Sequence, residues 1–234
     1  GLTHAGRPQE QQIDDRPPRG DHPRAEHLVQ VHQRPQTFLL PHDPRAERRG
    51  SAVKLQHWET IRSCDLYLLK HQGHQQLFER LYFGSPFPSL KAELRREYAG
   101  VYEVPDVHHV GQGHQLLDLS TGELAGKPMF KAKRKVHDLC AVLFSDFYRP
   151  FRVGALFAGL FPDEHYNILY GPDRIYHLMH RLREVVKQFN AGIPIDERNG
   201  FFRARSGEQT AVLIREGAGI GASKLAPVIR LQKS

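Results

Sequence analysis

The chain has 234 residues, of which 39% are hydrophobic and 25% are charged, both within the range of globular proteins. It is basic: 33 Lys and Arg stand against 26 Asp and Glu, with 15 His besides, and the pI is about 9.5. This balance favours a polyanionic partner, because each basic group placed near a phosphate releases a condensed counterion.

Two classes of protein are excluded by simple counts. Cys64 and Cys140 are too few for a disulfide framework, and their apolar surroundings predict buried, reduced thiols. No apolar run approaches the roughly 20 residues that a membrane-spanning helix needs. The first residues carry no signal-peptide pattern, so we expect a cytoplasmic protein that contacts no membrane.

Residues 1–50 are predicted to form an arm or linker. Seven of the chain's 16 prolines lie here among Gln, Arg, Asp and His, and only residues 38–40 form an apolar patch. Such a composition buries too little surface to offset the entropy of ordering the chain. A basic arm on DNA is the alternative, although acids alternate with the arginines. The histidines of this segment show no metal-ligand spacing.

Residues 51–104 predict a small helical segment. Apolar residues recur at three- and four-residue intervals over 53–69 and again over 77–82, which is typical of helices. Ser89 is expected to cap a third helix that runs to Glu97. Nothing in this segment has catalytic spacing.

The region 105–206 predicts a small antiparallel sheet, two helices, a loop, a third helix and a hairpin. The predicted elements are a hairpin with its turn at Ser120–Glu123, a strand near Met129 and Phe130, a helix over Val136–Phe144, a short helix over Val153–Phe161, and a polar loop over Asp163–Pro172.

The third predicted helix, from Asp173 to about Phe189, has two contrasting faces. Its apolar stripe is expected to pack on the first helix of the region, with Leu139, Leu143, Met179 and Leu182 buried. The opposite face is mostly basic or aromatic, as in a helix that enters the major groove of DNA. An ordinary solvated face is the alternative for this helix alone.

A hairpin follows the third helix. Ile193 and Ile195 alternate with polar residues, Asn199-Gly200 is a strong two-residue turn signal, and Phe201–Arg203 returns the chain.

Two motifs carry a resemblance to a known family: "IYHLMHRLREVV" at 175–186 and "IPIDERNGFFR" at 193–203. On these motifs, the segment 116–204 resembles the winged-helix effector domain of OmpR/PhoB-type response regulators. Arg198 stands where the family usually has a glycine, and Pro194 is unusual in the incoming strand. The alternation typical of the family's receiver domain is not found in residues 1–104, so the resemblance is to the effector domain alone.

The resemblance implies a transcriptional regulator that binds double-stranded DNA through the third helix and the wing hairpin. The expected DNA contacts are Arg174, Tyr176, His177, His180, Arg181, Arg183 and Lys187 on the helix, Arg198, Asn199 and Arg203 on the wing, and Lys133 and Arg134 before the first helix. The family's loop contact implies RNA polymerase as a partner of residues 163–172. A homodimer is a further open possibility.

Two alternatives to DNA binding stand beside it. Winged helices also serve as protein-docking modules, and the modest charge of 105–206, with 14 Lys and Arg against 11 Asp and Glu, fits that use. An enzyme is not expected, because no metal-ligand, nucleophile or phosphate-loop motif is present. His177 and His180 share a helix face but lack a third ligand, so no metal or cofactor is expected.

Residues 207–234, with glycines over 217–221, are predicted to be a flexible tail.

Overall fold

The computed structural model describes residues 48–49, 52, 57–131 and 134–217 and is an α+β structure. Its elements are, in chain order, α1 (Trp58–Gln72), α2 (Gln75–Phe83), α3 (Pro88–Glu97), β1 (Val107–Val110), β2 (Gln115–Asp118), β3 (Glu123–Leu124), β4 (Lys127–Pro128), α4 (Lys135–Leu143), β5 (Phe151–Arg152), α5 (Val153–Leu160), α6 (Gly171–Gln188), β6 (Ile195–Arg198), β7 (Phe201–Ala204) and β8 (Thr210–Arg215). Apart from Arg48 and Arg49, the predicted arm at 1–50 lies outside the described residues.

The helices α1, α2 and α3 share one apolar core, as their periodicity predicts. It includes Ile61, Leu69, Phe78, Leu81 and Leu94, all almost fully buried. The expected N-cap of α3 is wrong. The helix begins two residues earlier than that cap implies, at Pro88, because proline fits the first helical turn without a backbone donor. The N-cap position is Phe87, which makes no side-chain cap bond.

A second core lies among α4, α5, α6 and both sheets. Leu139, Leu143, Met179 and Leu182 are all at most 1% exposed, which confirms the predicted contact between the first and third helices of this region. The short helix α5 has no polar side chain and is correspondingly buried along most of its length. The three helices therefore form one packed layer.

The predicted hairpin is confirmed and forms the smaller sheet with β5. The strand order is β5-β7-β6, with all pairs antiparallel. Asn199 and Gly200 have φ values of 53° and 74°, and a two-residue hairpin turn of type I′ requires positive φ at both positions. The local sequence thus determines this turn.

The predicted tail is wrong for residues 207–217. Thr210–Arg215 is strand β8, which lies between β1 and β2 in a five-stranded sheet of order β1-β8-β2-β3-β4. It runs antiparallel to β1 but parallel to β2, so this sheet is not purely antiparallel as expected. Burial of Ala211, Val212 and Leu213 stabilises the strand. Residues 218–234 lie outside the described part.

One predicted strand in this sheet is displaced. The expected strand near Met129 and Phe130 lies two residues earlier, at Lys127–Pro128, and pairs with β3. Met129 and Phe130 are buried in the core instead, because the chain turns inward before α4.

Polar contacts join the helical segment to the second core. One guanidinium nitrogen of Arg62 on α1 donates to both carboxylate oxygens of Asp146 at 2.8 Å, and both side chains are buried. The hydroxyl of Tyr148 donates to Asp65 at 2.9 Å, again on α1. These bonds link α1 to the loop after α4.

Within the described ranges, no helix has both the length and the apolar character needed to cross a membrane.

Candidate nucleic-acid interface

Helix α6 is oriented by its buried stripe. Ile175, Met179 and Leu182 face the core, so the residues between them face solvent. The predicted contact residues on this helix are all exposed: Arg174, Tyr176, His177, His180, Arg181, Arg183 and Lys187. The structure therefore brings these seven side chains to one surface.

Two of the three arginines on this surface are held in ion pairs. Arg174 pairs with Glu164, and its guanidinium lies 3.8 Å from the centre of the Phe161 ring. The Arg174 hydrogen bond to the Glu164 carboxylate lowers the pKa of Glu164 below its usual range. Arg183 pairs with Glu197 of β6 at 3.1 Å, which ties α6 to the wing. Both arginines thus connect α6 to its neighbours.

The middle and end of α6 carry basic side chains that are not engaged in this way. Within the described residues, Arg181, Lys187 and His177 make no ion pair or side-chain hydrogen bond, and His180 meets only Glu184 at 3.5 Å. An exposed arginine without an internal partner can form a bidentate contact with guanine or a phosphate. Arg181 is therefore the arginine of α6 that is most available to a ligand.

The wing presents two of its three predicted contacts. Arg198 and Asn199 are exposed at the tip of the hairpin. Arg203 is half-buried: it donates to the carbonyl oxygen of Phe147 at 2.6 Å, and its guanidinium lies 5.2 Å from the centre of the Trp58 ring. Burial is the main cause that lowers the pKa of Arg203. Arg203 is thus engaged within the fold, and its predicted DNA contact would require the guanidinium to leave these partners.

Of the two basic residues predicted before the first helix, only one can be placed. Arg134 is exposed at the N-cap position of α4, where backbone N–H groups favour an anion. Lys133 lies outside the described residues. The next residue after Arg134, Lys135, donates to the carbonyl oxygen of Leu160 and so serves packing between α4 and α5.

Two exposed arginines near the wing were not predicted. Arg152 ends the two-residue strand β5, with its guanidinium 5.1 Å from the centre of the Phe201 ring. Arg205 follows β7 and pairs with Asp196 at 2.7 Å. A strand as short as β5 leaves no periodicity, so only its pairing with β7 identifies the position of Arg152.

The loop before α6 carries a cluster of exposed apolar side chains. Ile168, Leu169 and Tyr170 are 78%, 71% and 67% exposed, whereas Tyr166 packs edge-on against Phe157 with ring centres 5.3 Å apart. The loop is therefore anchored at its start and apolar at its end.

Two further properties of the chain were compared with known sites: metal-ligand groups, and similarity to other proteins. In the described ranges, no three His, Cys, Asp or Glu side chains are grouped in a way that could hold a metal ion. No protein-family model matches the sequence, and the comparisons with curated proteins and with solved structures give no match.

Proposed function

We propose that α4, α5, α6 and the three-stranded sheet form a winged helix-turn-helix of the OmpR/PhoB type, and that it binds double-stranded DNA as a transcriptional regulator. The observation that carries the proposal is the exposed face of α6. There, Arg181, Lys187 and His177 form no ion pair with any residue that the structure describes, and they lie beside a hairpin with an exposed arginine at its tip. A helix with such a face fits a major groove about 12 Å wide.

The ion pairs divide the predicted contacts into two roles. Arg181 and the nearby histidines at 177 and 180 contact base edges, because they lie in mid-helix and point outward. Arg198 and Asn199 contact the backbone or the minor groove from the wing, and Arg134 contacts a phosphate. Arg174 and Arg183 hold α6 against the loop and the wing, so they position the surface.

The test is selection of duplexes of about three helical turns from a random library, followed by affinity measurements at about 50 mM and about 200 mM salt. We expect one sequence to be enriched, and its affinity to fall steeply with salt because phosphate contacts release counterions. Failure to enrich any sequence, together with salt-independent binding, would contradict DNA binding.

Protein docking is a second candidate, favoured by the apolar loop end at 168–170. Three consecutive exposed apolar side chains lie there, and clustered exposed apolar groups mark interaction sites. RNA polymerase is the partner that the family resemblance suggests for residues 163–172, and a homodimer remains a further proposal.

A double variant separates the two candidates. Ile168→Ser with Leu169→Ser removes apolar contact area that supports no core, so the fold and the affinity for duplex are expected to be unchanged while transcription from a reporter falls. Leu116→Ser, at an isolated exposed leucine, is the matched control. A large loss of duplex affinity in the loop variant would place the loop on DNA instead.

A further inference from the structure

The register of the three-stranded sheet sorts its side chains onto two faces. Directly opposite residues in antiparallel strands point to the same side. Phe151, Phe202 and Glu197 are in register and face α6 and the core. Arg152, Phe201 and Arg198 are also in register with one another, and by alternation they lie on the opposite side. We call this opposite side the outer face.

The outer face is rich in arginine. Asp196 and Arg203 form its second row, since they are register partners on β6 and β7. Arg205 continues the same side: its backbone N–H donates to the Pro194 carbonyl oxygen at 3.0 Å, and its guanidinium meets Asp196 at 2.7 Å. On the described strands and the residue that follows β7, four arginines therefore share this face with one carboxylate, Asp196. The buried carboxylate of Asp146, in the loop after α4, also acts on Arg203.

The arginines of the outer face are close enough to act on one another. Burial is the largest cause that lowers the pKa of Arg203; the charges of Arg205 and of Arg80 on α2 also lower it, and those of Asp146 and Asp196 raise it. Arg203 is occupied with Phe147 and Trp58, so Arg152, Arg198 and Arg205 are the exposed cations of the face. Arg152 lies against the partly exposed ring of Phe201, which restricts its side chain before any ligand arrives.

We propose that the outer face is a second phosphate-binding surface, which holds the backbone of the duplex that flanks the segment contacted by α6. Arg152 binds a phosphate there directly, and Arg205 binds one by exchanging its solvent-exposed pair with Asp196 for a phosphate oxygen. Arg198 joins this surface to the wing tip. The partner is DNA backbone because the face offers exposed cations with Asp196 as the one carboxylate on its own described strands, which suits phosphate oxygens. This inference rests on the proposed function, and it adds contacts that the winged-helix resemblance does not supply.

The first test is a salt titration with a random-sequence duplex of about three helical turns, which requires no knowledge of the target. Arg152→Gln with Arg205→Gln is expected to lower the slope of log K against log salt by about two, because each arginine neutralises one phosphate. Lys70→Gln with Arg96→Gln removes the same charge from exposed positions on α1 and α3 and is expected to keep the wild-type slope. An unchanged slope in the Arg152/Arg205 variant would overturn the inference.

The second test looks for tighter binding, which misfolding cannot produce. Asp196→Asn removes the one carboxylate on the described strands of the outer face and is expected to raise duplex affinity several-fold at low salt, whereas Glu93→Gln on α3 leaves it unchanged. Equal changes in duplex affinity for the two substitutions would contradict phosphate binding by the outer face. If the wild type shows no salt-dependent duplex binding, the proposed function falls as well. If the wild type binds duplex in a salt-dependent way, but the Arg152/Arg205 and Asp196 variants have the wild-type affinity and salt slope, the outer-face proposal alone is overturned.

Discussion

Replacing Arg62 by Met tests the join between the helical segment and the second core. The Arg62 and Asp146 side chains are 5% and 0% exposed, and Oδ1 of Asp146 also accepts the backbone N–H groups of Tyr148 and Arg149. Removing the guanidinium leaves a buried carboxylate without its counter-charge. Breaking a buried pair in this way typically costs about 3–5 kcal/mol, so we expect a loss of that size in the free energy of unfolding at neutral pH.

The loss of stability caused by Arg62→Met is expected to change with pH in a definite direction. Burial already raises the pKa of Asp146, and Arg62 opposes that rise, so the pKa of Asp146 is expected to be higher still in the variant. An acid whose pKa is raised in the folded state binds more protons there than when unfolded. Its stabilising contribution is present at low pH and is lost as pH rises through the folded pKa. The loss caused by Arg62→Met should therefore be smaller at acidic than at neutral pH.

Urea unfolding followed by circular dichroism, at neutral pH and at mildly acidic pH, measures both effects. Arg96→Met, at an exposed position on α3, is the control and should change stability by less than about 0.5 kcal/mol. A loss below about 1 kcal/mol for Arg62→Met, or a loss that grows on acidification, would refute the buried-pair argument.

Three further predictions concern packing, the turn and the thiols. Leu182→Ala should lower the free energy of unfolding in urea by about 2–5 kcal/mol, because the side chain is buried between α6 and α4. A loss as small as that of an exposed residue would mean that the wrong face of α6 has been assigned to the core. Gly200→Ala should destabilise by about 1–2 kcal/mol, since its φ is 74° although nothing lies near an added Cβ, whereas Gly154→Ala in α5 should stabilise by up to about 1 kcal/mol. Equal signs would contradict this explanation. Cys64 and Cys140 are buried, and burial raises the pKa of Cys140 to about 12. Neither thiol should therefore react with a thiol reagent until denaturant is added. Rapid labelling of the folded protein would show that the core is open.

Elements with a strong local pattern could be predicted from the sequence. The stripe through Met179 and Leu182 determines which side of α6 is buried, and Asn199-Gly200 determines the hairpin turn. Both signals are local, because side chains three or four residues apart share a helix face and positive φ is a property of single residues. The exposed residues of α6 follow directly from that phase.

Features that depend on distant pairing could not be predicted. Strand β8 lies between β1 and β2, and no hairpin turn joins it to either. Arg203 is half-buried beside Trp58, which lies more than a hundred positions earlier in the chain. Arg152 lies on a two-residue strand whose side is decided only by its register with Phe201. Such contacts follow from tertiary packing, which local periodicity does not encode.

The central claim is that α6 contacts bases, and Arg181 tests it most directly. The measurement is the ratio of affinities for the selected duplex and a scrambled duplex of equal composition, for the wild type, Arg181→Ala and Arg198→Ala. Removing a contact between arginine and guanine typically costs about 1–3 kcal/mol, so Arg181→Ala should lower this ratio by roughly 5- to 150-fold while its binding to the scrambled duplex barely changes. Arg198→Ala should weaken both duplexes alike and lower the salt slope by about one. If Arg181→Ala keeps the wild-type ratio, α6 does not recognise the DNA sequence, and protein docking becomes the better account of this surface.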